Sequence, residues 1–312
     1  MPVLPSQTHR DRALENISIQ YKPQGLIADM VAPRVQVKRE SDIYYVYSKD
    51  TMSIPETLRA IGAESNQASW NMSTSTYQLQ EQSLHDYVPD RARDNADAPI
   101  DLDIDTTEII TGKILLRREK DLATTVQTLT NWGQSASLSS TQNWNDDTTL
   151  SNPITLIDSV SSLILQNSGM DPNSLILSDA QFKAGKEHQS VVDRIKHTSP
   201  DSVTPQMMAR LFNIDRVLVA KGVEETAKEG LDTSSMAFIW TDVAFLYYVP
   251  PAPSLKTPSA LYTLWKDAVS VPFKVERWRE EKRSADAIQV GALYQHKAVA
   301  TSCAATIVDI IG

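Results

Sequence analysis

Residues 90–108 read D-R-A-R-D-N-A-D-A-P-I-D-L-D-I-D-T-T-E: six aspartates and two arginines, after which the pattern turns abruptly helical. Asp105 with Glu108 three positions on resembles a capping box, and Ile110, Ile114, Leu122, Val126 and Leu129 keep helical spacing towards Trp132. One long helix over 106–130 is expected, a rod of roughly 37 Å at 1.5 Å per residue. Its centre, Arg117-Arg118-Glu119-Lys120-Asp121, carries charge nearly all round, with Arg117 and Asp121 at i,i+4. It reads as a face that is solvated or touches a partner.

Upstream, Ile43-Tyr44-Tyr45-Val46-Tyr47 is β-branched and aromatic, the composition of a strand, and a second polar-aromatic stretch runs from Ser73 to Tyr87. The intervening residues mix Thr, Ser, Pro55, Gly62, Asn66 and Trp70, so residues 41–87 are expected to form a long two-stranded ribbon with a polar tip. Such a ribbon buries little on either face and takes its stability from packing outside its own domain. Residues 1–40 hold six basic and four acidic side chains with prolines at 2, 5, 23 and 33, and read as an extended arm that lies on another surface, or equally as a frayed terminus.

Downstream, residues 133–153 are rich in Ser, Thr, Asn and Gln and mark a boundary. From Ile154 to Val249 helical and strand-like segments alternate: helical spacing at 154–165, Leu175-Ile176-Leu177, helices near 179–196 and 204–212, Val217-Leu218-Val219 and Ala237–Val249. This is the texture of a compact α/β unit over 151–261. Prolines 250–258 end it, and residues 262–312 read mainly as strands returning to the earlier domain, so the whole is α+β.

At 312 residues the length fits about two domains. Thirty basic against thirty-nine acidic residues, with a pI near 5.1, exclude a general nucleic-acid binder, because phosphate neutralisation needs a basic surface. The imbalance sits in residues 41–312, where 24 basic groups face 35 acidic ones. A single cysteine, Cys303, excludes an internal disulfide and a four-cysteine zinc site. Charges at Arg10, Asp11, Arg12 and Glu15 leave no room for the apolar stretch of a secretion signal, and no apolar run reaches the ~20 residues that span a bilayer, so a cytoplasmic chain without a membrane role is expected.

No catalytic, cofactor or metal site emerges. Neither G-x-G-x-x-G nor a P-loop occurs, His188 and His197 lack metalloprotease spacing, and neither G-x-S-x-G nor S-x-x-K is found. Cys303 could pair with His296 as a thiolate, but a lone cysteine among Ala and Thr reads more simply as a small buried hydrophobe. Asp101, Asp103 and Asp105 echo the start of a calcium loop, yet Thr106 and Gly112 stand where it needs Gly and Glu, and the aspartates serve a helix N-terminus instead. In F-K-V-E-R-W-R-E-E-K-R (273–283) carboxylates offset the basic groups, so it reads as a charge-laced strand at a subunit interface or as a solvated face.

The order of parts resembles the major capsid (coat) proteins of tailed bacteriophages. The segments I-A-D-M-V-A-P-R-V-Q-V (27–37), Y-Y-V-Y (44–47), the 90–108 run, D-R-I-K-H-T (193–198), R-V-L-V (216–219) and Y-V-P-P-A-P (248–253) carry that resemblance across nearly the whole chain. It implies the capsid fold shared with encapsulins and the herpesvirus capsid floor: an N-arm over 1–40, an extended loop over 41–87, a peripheral domain over 88–150 and 262–312 with spine helix 106–130, and an axial domain over 151–261. It further implies hexamers and pentamers of this chain in an icosahedral shell around double-stranded DNA, no enzymatic activity and no cofactor, with a scaffolding protein, a portal protein and a decoration protein as partners, in a virion assembled in the host cytoplasm.

One variant of the family joins subunits through a lysine of the extended loop and an asparagine of a neighbour. Lys49 is the only lysine between residues 41 and 87, but the asparagine of that variant sits on the neighbour's peripheral domain and none occurs here after Asn213, so the returning strands lack that electrophile and a shell without cross-links is expected. Only about 40 residues precede the ribbon, which leads to the expectation of a separate scaffolding protein. Regions with poor capacity for self-burial are expected at subunit contacts: Arg10 and Arg12 in the arm, Tyr45, Lys49 and Trp70 in the ribbon, Arg117 and Arg118 on the helix, and Arg277, Arg279 and Glu280 in the charged strand. The rivals are an encapsulin-type shell, a soluble α/β enzyme using residues 151–261, and a tail-tube or other virion protein.

Overall fold

The computed structural model describes residues 23–96, 101–146, 150–196, 203–227, 234–241, 243–252, 257–266 and 273–311. In chain order they form α1 (Ala28–Val31), β1 (Arg34–Gln36), β2 (Ser41–Tyr47), β3 (Met72–Gln78), β4 (Gln80–Pro89), α2 (Asp90–Asp94), α3 (Leu102–Gln127) and β5 (Ser135–Ser137). Then come α4 (Pro153–Ser168), β6 (Ser174–Ser178), α5 (Asp179–Glu187), α6 (Gln189–Ile195), α7 (Pro205–Leu211), β7 (Arg216–Ala220) and the short strands β8 (Val223–Glu225) and β9 (Met236–Phe238). β10 (Val243–Tyr247), β11 (Leu261–Trp265), β12 (Lys274–Glu280), β13 (Ala285–Ala298) and β14 (Ala304–Val308) complete the chain.

Helix α3 starts four residues earlier than the capping-box reading placed it. The Asp101 carboxylate accepts the backbone N–H groups of Asp103 and Ile104, so the first turn is capped from 101 instead of 105. It ends at Gln127 instead of 130, because the indole of Trp132 donates to Val126 O at 2.8 Å and the Asn131 amide to Thr125 O at 2.9 Å. Those side chains satisfy terminal carbonyls that a longer helix would have used. Ile110, Ile114, Leu122 and Val126 are buried as their spacing requires, whereas Leu129 lies in the following 3-10 turn and is exposed.

One sheet has the order β1-β11-β13-β12, with β4 on the opposite edge of β13. The ribbon expected over 41–87 therefore divides at Leu79. Ser41–Tyr47 pairs antiparallel with Met72–Gln78, while Gln80–Pro89 leaves the ribbon and pairs with β13. Leu79 is the buried pivot, clustered with Tyr262 and Leu264. The end of the arm is not free of the body either, since β1 adds parallel to β11 and Ile27, Ala28, Val31 and Ala32 are buried in the core. Arg10 and Arg12 lie outside the described residues.

The second sheet has the order β5-β14-β10-β6-β7 and carries α4 to α7. Its strand Ser174–Ser178 is buried throughout, as expected for a central apolar run covered on both faces. Residues 135–137 and 304–308 were read with the other domain, but they complete this sheet: β14 pairs with β10 and β5 with β14. Apolar runs do not encode their pairing partners. Asn152 caps α4 ahead of Pro153, and Gly169, at φ +71°, ends it in the left-handed conformation that glycine adopts without strain. His188 breaks the 179–196 stretch into two helices by accepting the Ser190 N–H on its ring nitrogen.

Candidate functional site

The centre of α3, read as a charged outer face, is the interior junction of the molecule. Arg118 is 2% exposed and Glu119 is 0% exposed. Glu119 accepts the backbone N–H groups of Ile27 at 3.0 Å and Ala28 at 2.8 Å on one oxygen and the Trp240 indole N–H at 2.7 Å on the other. Burial raises its pKa above the ordinary glutamate value even against those three hydrogen bonds. Arg118 forms an ion pair with Asp29, which also pairs with Arg34, and both guanidiniums lie over the ring of Trp265. Burial pulls the Asp29 pKa upward, but hydrogen bonds and charge from the two arginines win and hold it below the usual carboxylate range. The two adjacent residues thus clasp residues 27–34 onto the helix, and Arg118 is unavailable to a neighbouring subunit. A solvent-facing Arg-Glu pair has the same spelling, which is why sequence reading missed the clasp.

The remaining charges of that turn are exposed but engaged. Arg117 pairs with Asp121 at 2.9 Å, Lys120 with Glu224 at 2.7 Å, and Tyr294 donates its hydroxyl to Asp121 at 3.1 Å. Arg277 and Arg279 on β12 turn back into their own subunit: Arg277 reaches Asp286 at 2.6 Å and Asp103 at 3.1 Å, and Arg279 reaches Asp90 at 2.5 Å and Asp286 at 3.3 Å. Arg93 joins the same cluster through Asp103 and Asp286. The Arg277 hydrogen bond, followed by those from Arg279 and Arg93, pulls the Asp286 pKa down to about 2. Asp90 and Asp103 thus complete an intrachain network with Asp286 that ties α2, α3 and the start of β13 together. Glu280 is half-buried opposite Ala285.

The outward surface of the ribbon is apolar. Ile43, Tyr45 and Tyr47 face one side together with their cross-strand partners Thr76, Thr74 and Met72, and all three, with Met72, are exposed. Trp70, also exposed, lies against Tyr47 with ring centroids 5.9 Å apart. The Lys49 ammonium donates to Asn167 O at 2.6 Å, which ties the chain just beyond β2 to the end of α4. Tyr45 and Trp70 thus share one exposed face, while Arg118, Arg277 and Arg279 belong to the interior or to the subunit's own ion pairs.

A buried serine–histidine pair exists but has the wrong polarity for nucleophilic chemistry. His188 Nδ1 accepts the Ser190 N–H at 3.2 Å, which places the ring proton on Nε2, and Nε2 lies 3.0 Å from Ser151 Oγ. The Ser151 hydroxyl in turn donates to Asn143 O at 2.7 Å. The imidazole therefore donates to the serine instead of accepting its proton, and the pair is a strut that links the start of α6 to Ser151 and, through it, to Asn143. Cys303 is buried, and burial pushes its thiol pKa up, away from a reactive thiolate. Among the described residues no group of three His, Cys, Asp or Glu side chains is placed to hold a metal, and no helix is long and apolar enough to cross a membrane.

A long helix packed on a sheet with a projecting ribbon, a second α/β sheet domain and an interleaved C-terminal strand together form the tailed-phage major capsid fold, as shared with encapsulins. Two curated relatives carry that resemblance in sequence. The chain is 24% identical over 243 residues to the major capsid protein of Burkholderia phage BcepMu, covering 77% of this chain and 76% of the relative, and 27% identical over 267 residues to that of Pseudomonas phage JBD67, covering 83% and 84%. No protein-family model matches. Among solved structures, a phage-related protein from Bordetella bronchiseptica superposes with a TM-score of 0.69 at 21% identity, over 93% of this chain and 94% of the other. The capsid of cyanophage P-SCSP1u gives 0.63 at 9% identity over 97% and 93%, and an encapsulin complex from Synechococcus elongatus 0.58 at 13% over 97% and 96%. The resemblance to tailed-phage major capsid proteins read from the sequence is borne out in both sequence and fold.

Proposed function

We propose that this chain is the structural subunit of a phage head, assembling with copies of itself as hexamers and pentamers into an icosahedral shell around double-stranded DNA. The observation that carries this reading is the pairing of a shell fold matched over nearly the whole chain with an exposed apolar ribbon face that the subunit cannot cover itself. The acidic balance of residues 41–312 fits a container that must pack and release DNA, since a wall that bound phosphate tightly would oppose both. The chain has no catalytic role in this reading. A scaffolding protein, a portal protein and a decoration protein are its further partners, and assembly takes place in the host cytoplasm before the shell becomes part of the virion.

Negative-stain electron microscopy with light scattering on the purified chain, with and without the co-expressed scaffolding protein, tests this: closed shells of uniform diameter are expected, and a monodisperse monomer or dimer in both conditions refutes it. Both curated relatives are phage capsid proteins, which favours DNA over an enzyme cargo as the contents; nuclease-resistant DNA in particles from infected cells checks this. In this reading the shell is held by non-covalent contacts, because the returning strands of residues 262–312 hold no asparagine to meet a neighbour's Lys49. Mature particles boiled in detergent should run as single chains, and a ladder of multiples would contradict that expectation.

A further inference from the structure

The tip of the ribbon, residues 53–62, reads S-I-P-E-T-L-R-A-I-G. It carries every local signal of a short helix yet runs as irregular chain in the free subunit. Ser53 and Glu56 have capping-box spacing, and Ser53 already has the extended backbone of an N-cap, at φ −70° and ψ 146°. Pro55 sits in the first turn, where its missing N–H costs no helical bond. Gly62 stands at φ +84°, the left-handed conformation that follows a helix's last turn. Ile54, Leu58 and Ile61 fall at i, i+4 and i+7, within one narrow stripe of a helix, whereas a strand would put Leu58 and Ile61 on opposite faces. In the subunit these three are almost wholly in solvent, Ile54 at 97% and Leu58 at 85% exposure, with Ile61 fully exposed.

An eight-residue helix is too short to hold by itself in water and forms only when an apolar stripe is packed. We propose that residues 54–61 fold into one amphipathic helix when the ribbon docks on a second copy of this chain, with Ile54, Leu58 and Ile61 against the neighbour. The inference rests on the shell reading above. In sequence the stripe lies between Tyr47 and Trp70, whose rings meet 5.9 Å apart and are likewise exposed, so one stretch of chain carries both apolar features that the subunit leaves uncovered. Between residues 48 and 71 two basic groups, Lys49 and Arg59, stand against three acidic ones, Asp50, Glu56 and Glu64, which favours a protein surface over DNA or an anionic membrane. Until docking, the tip keeps local bonds that a helix would exchange: Leu58 N to the Glu56 carboxylate at 3.0 Å and the Asn66 amide to Glu56 O at 2.8 Å.

Amide hydrogen exchange of the full chain, read residue by residue in free subunits and in particles, tests this. A helix slows the consecutive amides of Thr57 to Ile61 by about tenfold or more in particles only; protection of alternate amides shows a strand, and exchange as fast as in the subunit shows a tip left open for another partner, and either result overturns the proposal. Leu58→Ser and Ile61→Ser should each lower particle yield by about tenfold or more, whereas Thr57→Ala, a better helix former off the stripe, should not. Ala60→Pro should block assembly while leaving the subunit's melting curve unchanged; particles of Ala60→Pro at wild-type yield refute the helix. If the wild-type chain forms no particles under any condition, the shell reading itself fails, a result distinct from wild-type particles with an unprotected tip.

Discussion

Acidification from pH 7 to pH 4 probes the junction beneath α3 through His296. The imidazole sits on β13 with Nδ1 3.0 Å from Thr263 Oγ1 of β11, its ring 5.3 Å from that of Tyr294, and the Arg118 guanidinium of α3 close enough to oppose a second positive charge. Burial first, and the Arg118 charge second, push its pKa down to about 4 from 6.5; a hydrogen bond with the Arg118 backbone and the Asp29 charge act the other way and lose. Because the folded pKa is depressed, the unfolded chain takes up a proton below pH 6.5 that the folded chain refuses. The associated stability is complete above that pH and is lost as pH falls towards 4. At 1.36 kcal/mol per unit this shift amounts to about 3 kcal/mol. The assay is urea unfolding of unassembled wild type and His296→Gln at matched pH values, the glutamine retaining a polar partner for Thr263 without titrating. Between pH 7 and 4 the wild type should lose about 3 kcal/mol more than the variant. A difference between the two that stays constant within about 0.5 kcal/mol over that range refutes the reasoning.

Three other perturbations address the clasp, the ion network and the ribbon. Glu119→Leu leaves the N–H groups of Ile27, Ala28 and Trp240 without their acceptor while removing a costly buried charge, for a net loss of about 3 kcal/mol and a melting temperature lower by about 6–12 °C in a thermal scan. Asp286→Asn weakens the bonds to three arginines; because the wild-type pKa is depressed to about 2, the stability gap between the two proteins should be open at pH 5 and close as pH falls from about 3.8 towards 2 in acid titrations followed by circular dichroism. The double change Tyr45→Ser and Trp70→Ser should leave the subunit's unfolding free energy within about 0.5 kcal/mol, since both rings are exposed, and sharply reduce particle yield in light scattering.

Much of the fold was legible because it is written in local signals. The period of Ile110, Ile114, Leu122 and Val126 announces α3, the Tyr-rich run announces β2, and the alternation from Ile154 to Val249 announces the α/β unit. What was misread depends on distant partners. Asp101 and Asp105 are both plausible caps by spelling, and only the backbone decides that Asp101 is used. Residues 73–87 look like one strand because nothing local marks Leu79 as the point where pairing changes from β2 to β13. The expected contact residues also have surroundings that no local stretch shows: Arg118 lies inside, and Arg277 and Arg279, though exposed, meet aspartates up to 189 positions away.

By itself the sequence determined the class of element at most positions, the order of the parts, the acidic balance and the lack of a catalytic motif, because hydrophobic period, caps and composition act over a few residues. The tertiary structure alone decided which strands share a sheet and that Ala304–Val308 closes the second one. It also decided that Arg118 and Glu119, charged neighbours in the middle of a helix, lie inside. Burial of charge is tolerated only where donors and counter-charges converge from elsewhere in the chain, here Ile27, Ala28, Asp29 and Trp240, and that convergence is a property of the folded chain that no local stretch contains.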